Sequence, residues 1–243
     1  MLKTGLDSAI NVLRRKKPGR SYPGIFGQGK RKTNHRARDL AIKDCSFTVL
    51  DTELTGLNPK ADEIVSIGAV KIRFLSIEPE NIFYAEVKPK QLPKACTLIH
   101  GISPDQVREA PQLEEVMPEL LSFVGHDHLV GHNIGLDMAF LNRACKRHLG
   151  VKLDNPCIDT LRLARVYSEQ QWQNYFDRYD LQLSLQLNDL AQKYGLPQFA
   201  GHNAFQDALQ TAYLFLFLLK KLSNGQIKTL KQLYCAGKRL AWM

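Results

Sequence analysis

The chain has 243 residues, 44% hydrophobic and 23% charged, the composition of an ordinary soluble globular protein with room for one substantial core and appendages. Its longest aliphatic-aromatic run, residues 213–219, is too short to span a bilayer, and the N-terminus lacks the apolar block and cleavage site of a secretory signal, so the expected location is the cytoplasm, with no membrane partner. Five cysteines, an odd number without a C-x-x-C pair, argue against a zinc ribbon or a disulfide framework and predict reduced, mostly buried thiols.

The net charge of +9 at pH 7 sits at one end of the chain. Residues 1–44 carry 12 Lys/Arg against 3 Asp/Glu, which leaves 21 of each sign in residues 45–243. That leader contains RRKKPGR and GQGKRKTNHRAR, with Leu2, Leu6, Ile10 and Leu13 at spacings that suit one helical face. It reads as a basic, flexible arm able to bind phosphate in a salt-sensitive way, or as a solubilising or partner-docking tail.

A folded domain is expected over 45–222. CSFTVLD, EIVSIGAVKIRF and IFYAEVKP read as three strands of an antiparallel meander, separated by turn signals such as GLNPKAD. APQLEEVMPELLSFV has helical spacing; a short strand HLVGHN, a helix from about Asp137 to His148, and a strand CID follow. A meander followed by alternating helices and strands predicts an α/β domain, a mixed sheet flanked by helices. Residues 223–243 read as a basic C-terminal helical tail.

Four acids interrupt this pattern. Asp51 and Glu53 lie two apart at the end of an apolar strand, so they project from the same side and raise each other's pKa. Asp137 opens a helix and shares a face with Phe140, Leu141 and Ala144, while Asp207 shares one with Thr211, Phe215 and Leu218, with His202 about a turn ahead of it. Taken singly, these residues suit a strand edge, a helix N-terminus and a structural histidine. Four inward-facing acids together would cost several kcal/mol without compensation. All-oxygen donors without a cysteine cluster suit Mg²⁺ or Mn²⁺, two such ions support in-line displacement at phosphorus, and a histidine near neutral pKa suits the base.

The ordered set Asp51-x-Glu53, His132-Asn133-x-x-x-Asp137 and His202-x-Ala204-x-x-Asp207 resembles the DnaQ-like (DEDDh) 3′ to 5′ exonucleases, with echoes in LDTELTGL, IHGIS, IDTLRLAR and LNDLAQKYGLP. The resemblance covers about residues 45–220 and implies an RNase H-like fold, a mixed five-stranded sheet flanked by helices. It implies that Asp51, Glu53, Asp137 and Asp207 hold two divalent metal ions and that His202 is the general base. It also implies substrate contacts at Thr55, Gly56, Leu57, His100, Asn133 and Phe140. Ile134, Gly135 and Leu136 replace the commoner small-plus-aromatic spacer, so the pocket wall near Asp137 is expected to differ.

Other features favour structural roles. Asp159 precedes LRLARVY after one threonine and suits a helix N-cap better than a metal ligand. Trp172, Tyr175, Phe176 and Tyr179 form an aromatic stripe suited to packing, including against a second subunit, more than to stacking on bases. QLSLQL at 182–187 looks like a sliding-clamp-binding peptide, yet Ser184 also suits the N-cap of a helix carrying Leu187, Leu190, Ala191 and Tyr194. The function expected is a two-metal exonuclease releasing nucleoside 5′-monophosphates from single-stranded nucleic acid, DNA first, in proofreading, repair or end trimming. A DNA polymerase, a sliding clamp or a second copy are its expected partners. The alternatives are an RNA 3′ trimming or oligoribonuclease-type enzyme and, in another class, a non-catalytic nucleic-acid or polymerase-binding module.

Overall fold

The computed structural model describes residues 40–174 and 184–238. Residues 1–39 of the basic arm, the aromatic side chains from Trp172 to Tyr179 and the first two residues of the QLSLQL segment lie outside the described residues. Apolar runs punctuated by turn residues build β1 (Phe47–Leu54), β2 (Ile64–Arg73) and β3 (Ser76–Glu86). The short helices α1 (Lys94–His100) and α2 (Pro104–Arg108) lead to α3 (Leu113–Val124), and then β4 (His128–Gly131), α4 (Gly135–Leu149), β5 (Cys157–Asp159) and α5 (Thr160–Asn174) alternate. The helices α6 (Leu187–Lys193), α7 (Ala204–Lys221) and α8 (Leu230–Lys238) complete the described chain.

The sheet order is β3-β2-β1-β4-β5. β1, β2 and β3 form the expected antiparallel meander, while β4 runs parallel to β1 and β5 parallel to β4. This is an RNase H-like α/β fold, a mixed five-stranded sheet with helices on both faces.

Alternation along β1 divides its side chains between two cores. Phe47 and Val49 pack with Leu214, Phe215 and Leu218 of α7, the Phe47 and Phe215 rings meeting edge to face at 5.1 Å. Leu50 packs on the other side with Met117 and Leu120 of α3 and Leu141 of α4. Each large side chain fully buried here stabilises the fold by about 1.5–3 kcal/mol. The same alternation carries Asp51 and Glu53 toward α7 and Thr52 toward α4. The parallel register of β1 with β4 ends at Val49↔Val130, so β1 runs on beyond its neighbour and leaves a gap that the start of α4 approaches.

Several details depart from the sequence reading. The fold takes in part of the leader and of the tail: Ala41 bridges Thr229, Ile42 is buried, and α8 buries Leu230 and Leu233 in the same core as α7. α6 starts at Leu187 with Gln186 as its N-cap; Ser184 instead accepts the Gln186 N–H at 3.3 Å, because the chain turns there before the helix begins. All five cysteines are free, but Cys157 and Cys235 are exposed and only Cys45 and Cys145 are buried.

Candidate active site

Strand β1 presents Asp51 and Glu53, and α7 brings Asp207 over them. The three residues place carboxylate oxygens within 4.8 Å of one another. α7 approaches so closely because Gly68, paired with Asp51 across β1 and β2, has no side chain: a Cβ there would lie 2.3 Å from the backbone of Ala204 and Phe205. Asn203 caps α7, its side chain accepting the Gln206 N–H at 3.1 Å. The backbone N–H groups of His202 and Asn203 lie near enough to the Asp207 carboxylate to favour its ionised form.

Asp137 arrives from the other face of the sheet. It is buried at the start of α4, and its Oδ1 accepts the Thr52 hydroxyl at 2.6 Å. Thr52 thus fastens the helix that carries Asp137 to the strand that carries Asp51 and Glu53. Asp137 lies beside the Asp51, Glu53 and Asp207 cluster, close enough for its charge to act on Asp51 and Glu53.

The electrostatics are those of uncompensated acids. Burial first, then the charges of Asp137, Asp207 and Glu53, push the Asp51 carboxyl well above the ordinary carboxylate range. Burial, then Asp207 and Asp137, push Glu53 up to about 7. Burial pushes Asp137 up to about 7 even against the hydrogen bonds from Thr52 that favour its ionised form. Burial also raises Asp207, a rise that His202 and the two backbone N–H groups oppose. Among the described residues no Lys or Arg forms an ion pair with any of the four. Hard, all-oxygen donors in this state fit one or more divalent cations of the Mg²⁺ or Mn²⁺ type.

His202 is exposed, in the left-handed conformation at φ 55°, on the turn just ahead of α7. His100, at the end of α1, is buried; burial and the nearby His202 lower its pKa. Its Nδ1 accepts the Ile102 N–H at 3.1 Å, so the neutral ring carries its proton on Nε2, which is buried without a partner among the described residues. The loop after β1 is pinned by Thr55, which exchanges hydrogen bonds with Glu63 and whose carbonyl accepts the Cys96 thiol at 2.8 Å. Gly56 packs where a Cβ would strike the Asp62 carboxylate at 2.4 Å, and Leu57 stands 77% exposed at the tip. Asn133 is exposed at φ 61°. Phe140 does not join this group on the surface: it is buried in the core with Leu141 and lines a cavity of about 200 Å³ beside Lys88, Lys90 and Arg143. Asp159 caps α5 as expected, its Oδ1 accepting the Leu161 N–H at 3.0 Å.

The sequence reading passed over Thr52 and Gly68. A polar residue between two acids in an otherwise apolar strand, and a glycine inside the β-rich run VSIGAV, were the available signals.

A five-stranded mixed sheet that gathers carboxylates at the end of its central strand defines a nuclease-like fold. The family model for exonucleases, RNase T, matches residues 48–215, and the chain belongs to that family, the DnaQ-like 3′ to 5′ exonucleases. It is 33% identical over 196 residues to the PolC-type DNA polymerase III of Thermotoga petrophila and 34% identical over 198 residues to that of Bacillus subtilis. Each match covers 80% of this chain and 13% of the polymerase, so the chain spans about an eighth of the length of these relatives. Among solved structures, E. coli exonuclease I in complex with a dT13 oligonucleotide superposes with a TM-score of 0.63 at 19% identity, over 73% of this chain and 41% of that one. Exonuclease X in complex with 5′ overhanging duplex DNA gives 0.57 at 23% identity, over 79% and 99%.

Proposed function

We propose that this protein is a divalent-metal-dependent 3′ to 5′ exonuclease that releases nucleoside 5′-monophosphates from single-stranded DNA. The observation that carries the reading is the meeting of Asp51, Glu53 and Asp207 within 4.8 Å, beside Asp137, with no neutralising cation among the described residues. Asp51, Glu53, Asp137 and Asp207 would hold two Mg²⁺ or Mn²⁺ ions, which when bound polarise the phosphoryl group and stabilise the departing oxygen. The chain's own residues do the rest. His202, exposed above the cluster, takes the proton of the attacking water on an imidazole nitrogen. His100, buried at the end of α1 beside His202, lies beneath the groove that receives the strand. The pinned loop of Thr55 and Gly56, with the exposed Leu57 and Asn133, receives the 3′-terminal nucleotide. Phe140 acts from beneath, supporting the wall of that pocket from the core.

Relatives that are DNA polymerases and neighbours solved with DNA favour DNA over RNA. They also favour work alongside a DNA polymerase, in proofreading or repair in the cytoplasm. No helix among the described residues is long and apolar enough to cross a membrane. The test is digestion of matched 5′-labelled DNA and RNA strands with Mg²⁺ or Mn²⁺, beside an Asp51→Ala control. A DNA ladder shortening from the 3′ end, absent in the variant, is the expected result. Faster RNA digestion would move the substrate to RNA, and folded protein that cuts neither strand would overturn the reading.

A further inference from the structure

The turn that delivers Asp137 is closed by a neighbouring strand end. Asn133 is left-handed at φ 61°, and its carbonyl accepts the Leu136 N–H at 3.1 Å to begin α4, a helix with no side-chain cap of its own. Asp159, at the end of β5, supplies what the turn lacks. Its Oδ1 accepts the Asn133 N–H at 2.9 Å as well as the Leu161 N–H at 3.0 Å. The next residue, Thr160, lies with its hydroxyl 3.1 Å from the Gly131 carbonyl and 2.9 Å from His132 Nδ1. Two consecutive residues therefore grip three others, Gly131, His132 and Asn133, which run up to the helix that carries Asp137.

We propose that Asp159 is a positioning residue for the metal-binding carboxylate Asp137, acting through the backbone of Asn133. This rests on the reading of the acid cluster as a metal site. Asp159 is not itself a member of that cluster: one oxygen is occupied by two N–H groups and the other faces Arg162 Nε at 3.6 Å. Its charge works against the ionised form of Asp137. What it contributes is geometry: it holds a left-handed residue, and through it the first turn of α4, in one place. The Thr52 hydroxyl holds the same carboxylate from the strand side, so Asp137 is located from two directions.

The experiment measures Mn²⁺ binding by electron paramagnetic resonance, without turnover, alongside kcat and KM on an oligonucleotide. Asp159→Ala is expected to lower both Mn²⁺ affinity and kcat by about 10- to 100-fold, the range for groups that orient metal ligands, while KM stays unchanged. Asp159→Asn keeps the Oδ1 acceptor and is expected to restore both. Wild-type Mn²⁺ affinity in Asp159→Ala, or an Asp159→Asn protein as impaired as Asp159→Ala, would overturn the role. Should Asp159→Ala not fold, Asn133→Ala and Asn133→Gly provide the comparison. Alanine resists a positive φ and glycine does not, so only the alanine variant should lose Mn²⁺ affinity, and equal affinities would overturn the proposal. Wild-type protein that bound no Mn²⁺ would refute the metal reading itself, a result distinct from variants that match a wild type that binds.

Discussion

Replacing Gly68 with alanine should disable the site without touching an acid. The added Cβ would meet Ala204 C and Phe205 N at 2.3 Å, where ordinary contact begins at 3.4 Å, an overlap of 1.1 Å by difference. Those atoms are the backbone of the first turn of α7, so no side-chain rotation relieves the clash. α7 must withdraw from the sheet by about 1 Å, carrying Asp207 and the turn with His202 away from Asp51 and Glu53. A misplacement of that size costs on the order of 10²-fold in turnover. Overpacking itself costs about 1–3 kcal/mol, so the assay belongs at 25 °C, where both proteins can be shown to be folded by circular dichroism. The expected result for Gly68→Ala is a kcat on 5′-labelled single strands reduced about a hundredfold, with weakened Mn²⁺ binding. A folded Gly68→Ala protein with wild-type kcat and Mn²⁺ affinity would show that α7 does not need its close approach to Gly68.

Three further outcomes follow from the same geometry. Because Asp51, Glu53 and Asp137 bind protons more tightly folded than unfolded, metal-free stability should be greatest below about pH 4 to 5 as far as these groups are concerned and fall as pH rises, Glu53 and Asp137 losing their share through about 7. Thermal melts from pH 5 to 8 should show this fall with EDTA and a smaller one with Mg²⁺. Asp51→Asn removes one repelling charge and should raise the metal-free melting temperature at pH 8, by about 2–4 °C per kcal/mol relieved, while abolishing cleavage; a lowered melting point would contradict the repulsion. At the β2–β3 hairpin, Phe74 and Leu75 adopt φ 52° and 59°, a two-residue turn that favours Asn-Gly, and Phe74 is 81% exposed. Phe74→Asn with Leu75→Gly should therefore stabilise the protein by about 1 kcal/mol or more and leave kcat unchanged, as read by urea melts and the strand assay.

Much of this fold was legible because its signals are local. Alternation and turn residues marked β1 to β3, and helical spacing marked α3, α4 and α7, with Asp137 and Asp207 on the buried faces where they are found. The paired acids of β1 were visible for the same reason, since residues two apart on a strand must share a side. What stayed hidden depends on long-range placement. Nothing near Thr52 in sequence indicates that its hydroxyl will meet Asp137, 85 residues away, and nothing near Asp159 points to Asn133. The start of α6 was misjudged because Ser184 does bond a backbone N–H, but that of Gln186, in a turn that precedes the helix. Phe140 shares a helix face with Asp137, yet that face turns into the core one turn later, so the aromatic ring goes inward while the acid stays at the strand end.

The two ends of the β1–β2 pair hold buried charge in opposite ways, and the contrast supports the proposed metal site. At the start of β1, Lys71 reaches the Asp127 carboxylate, and the Thr48 hydroxyl bonds both, at 2.9 Å from Lys71 Nζ and 2.9 Å from Asp127 Oδ2. Burial lowers the Lys71 pKa, but a carboxylate stands opposite, and the pair is complete within the chain. Replacing one partner there would leave a buried charge alone and destabilise the fold. At the other end the same two strands present Asp51 and Glu53 to Asp207 with no Lys or Arg paired to them among the described residues, and burial drives all three carboxyls upward. A fold that neutralises one buried acid with its own lysine does not lack the means to neutralise others. Among the described residues the acids of the second end have no such partner, and a divalent cation has the sign and the hard-oxygen preference that the proposed metal site requires.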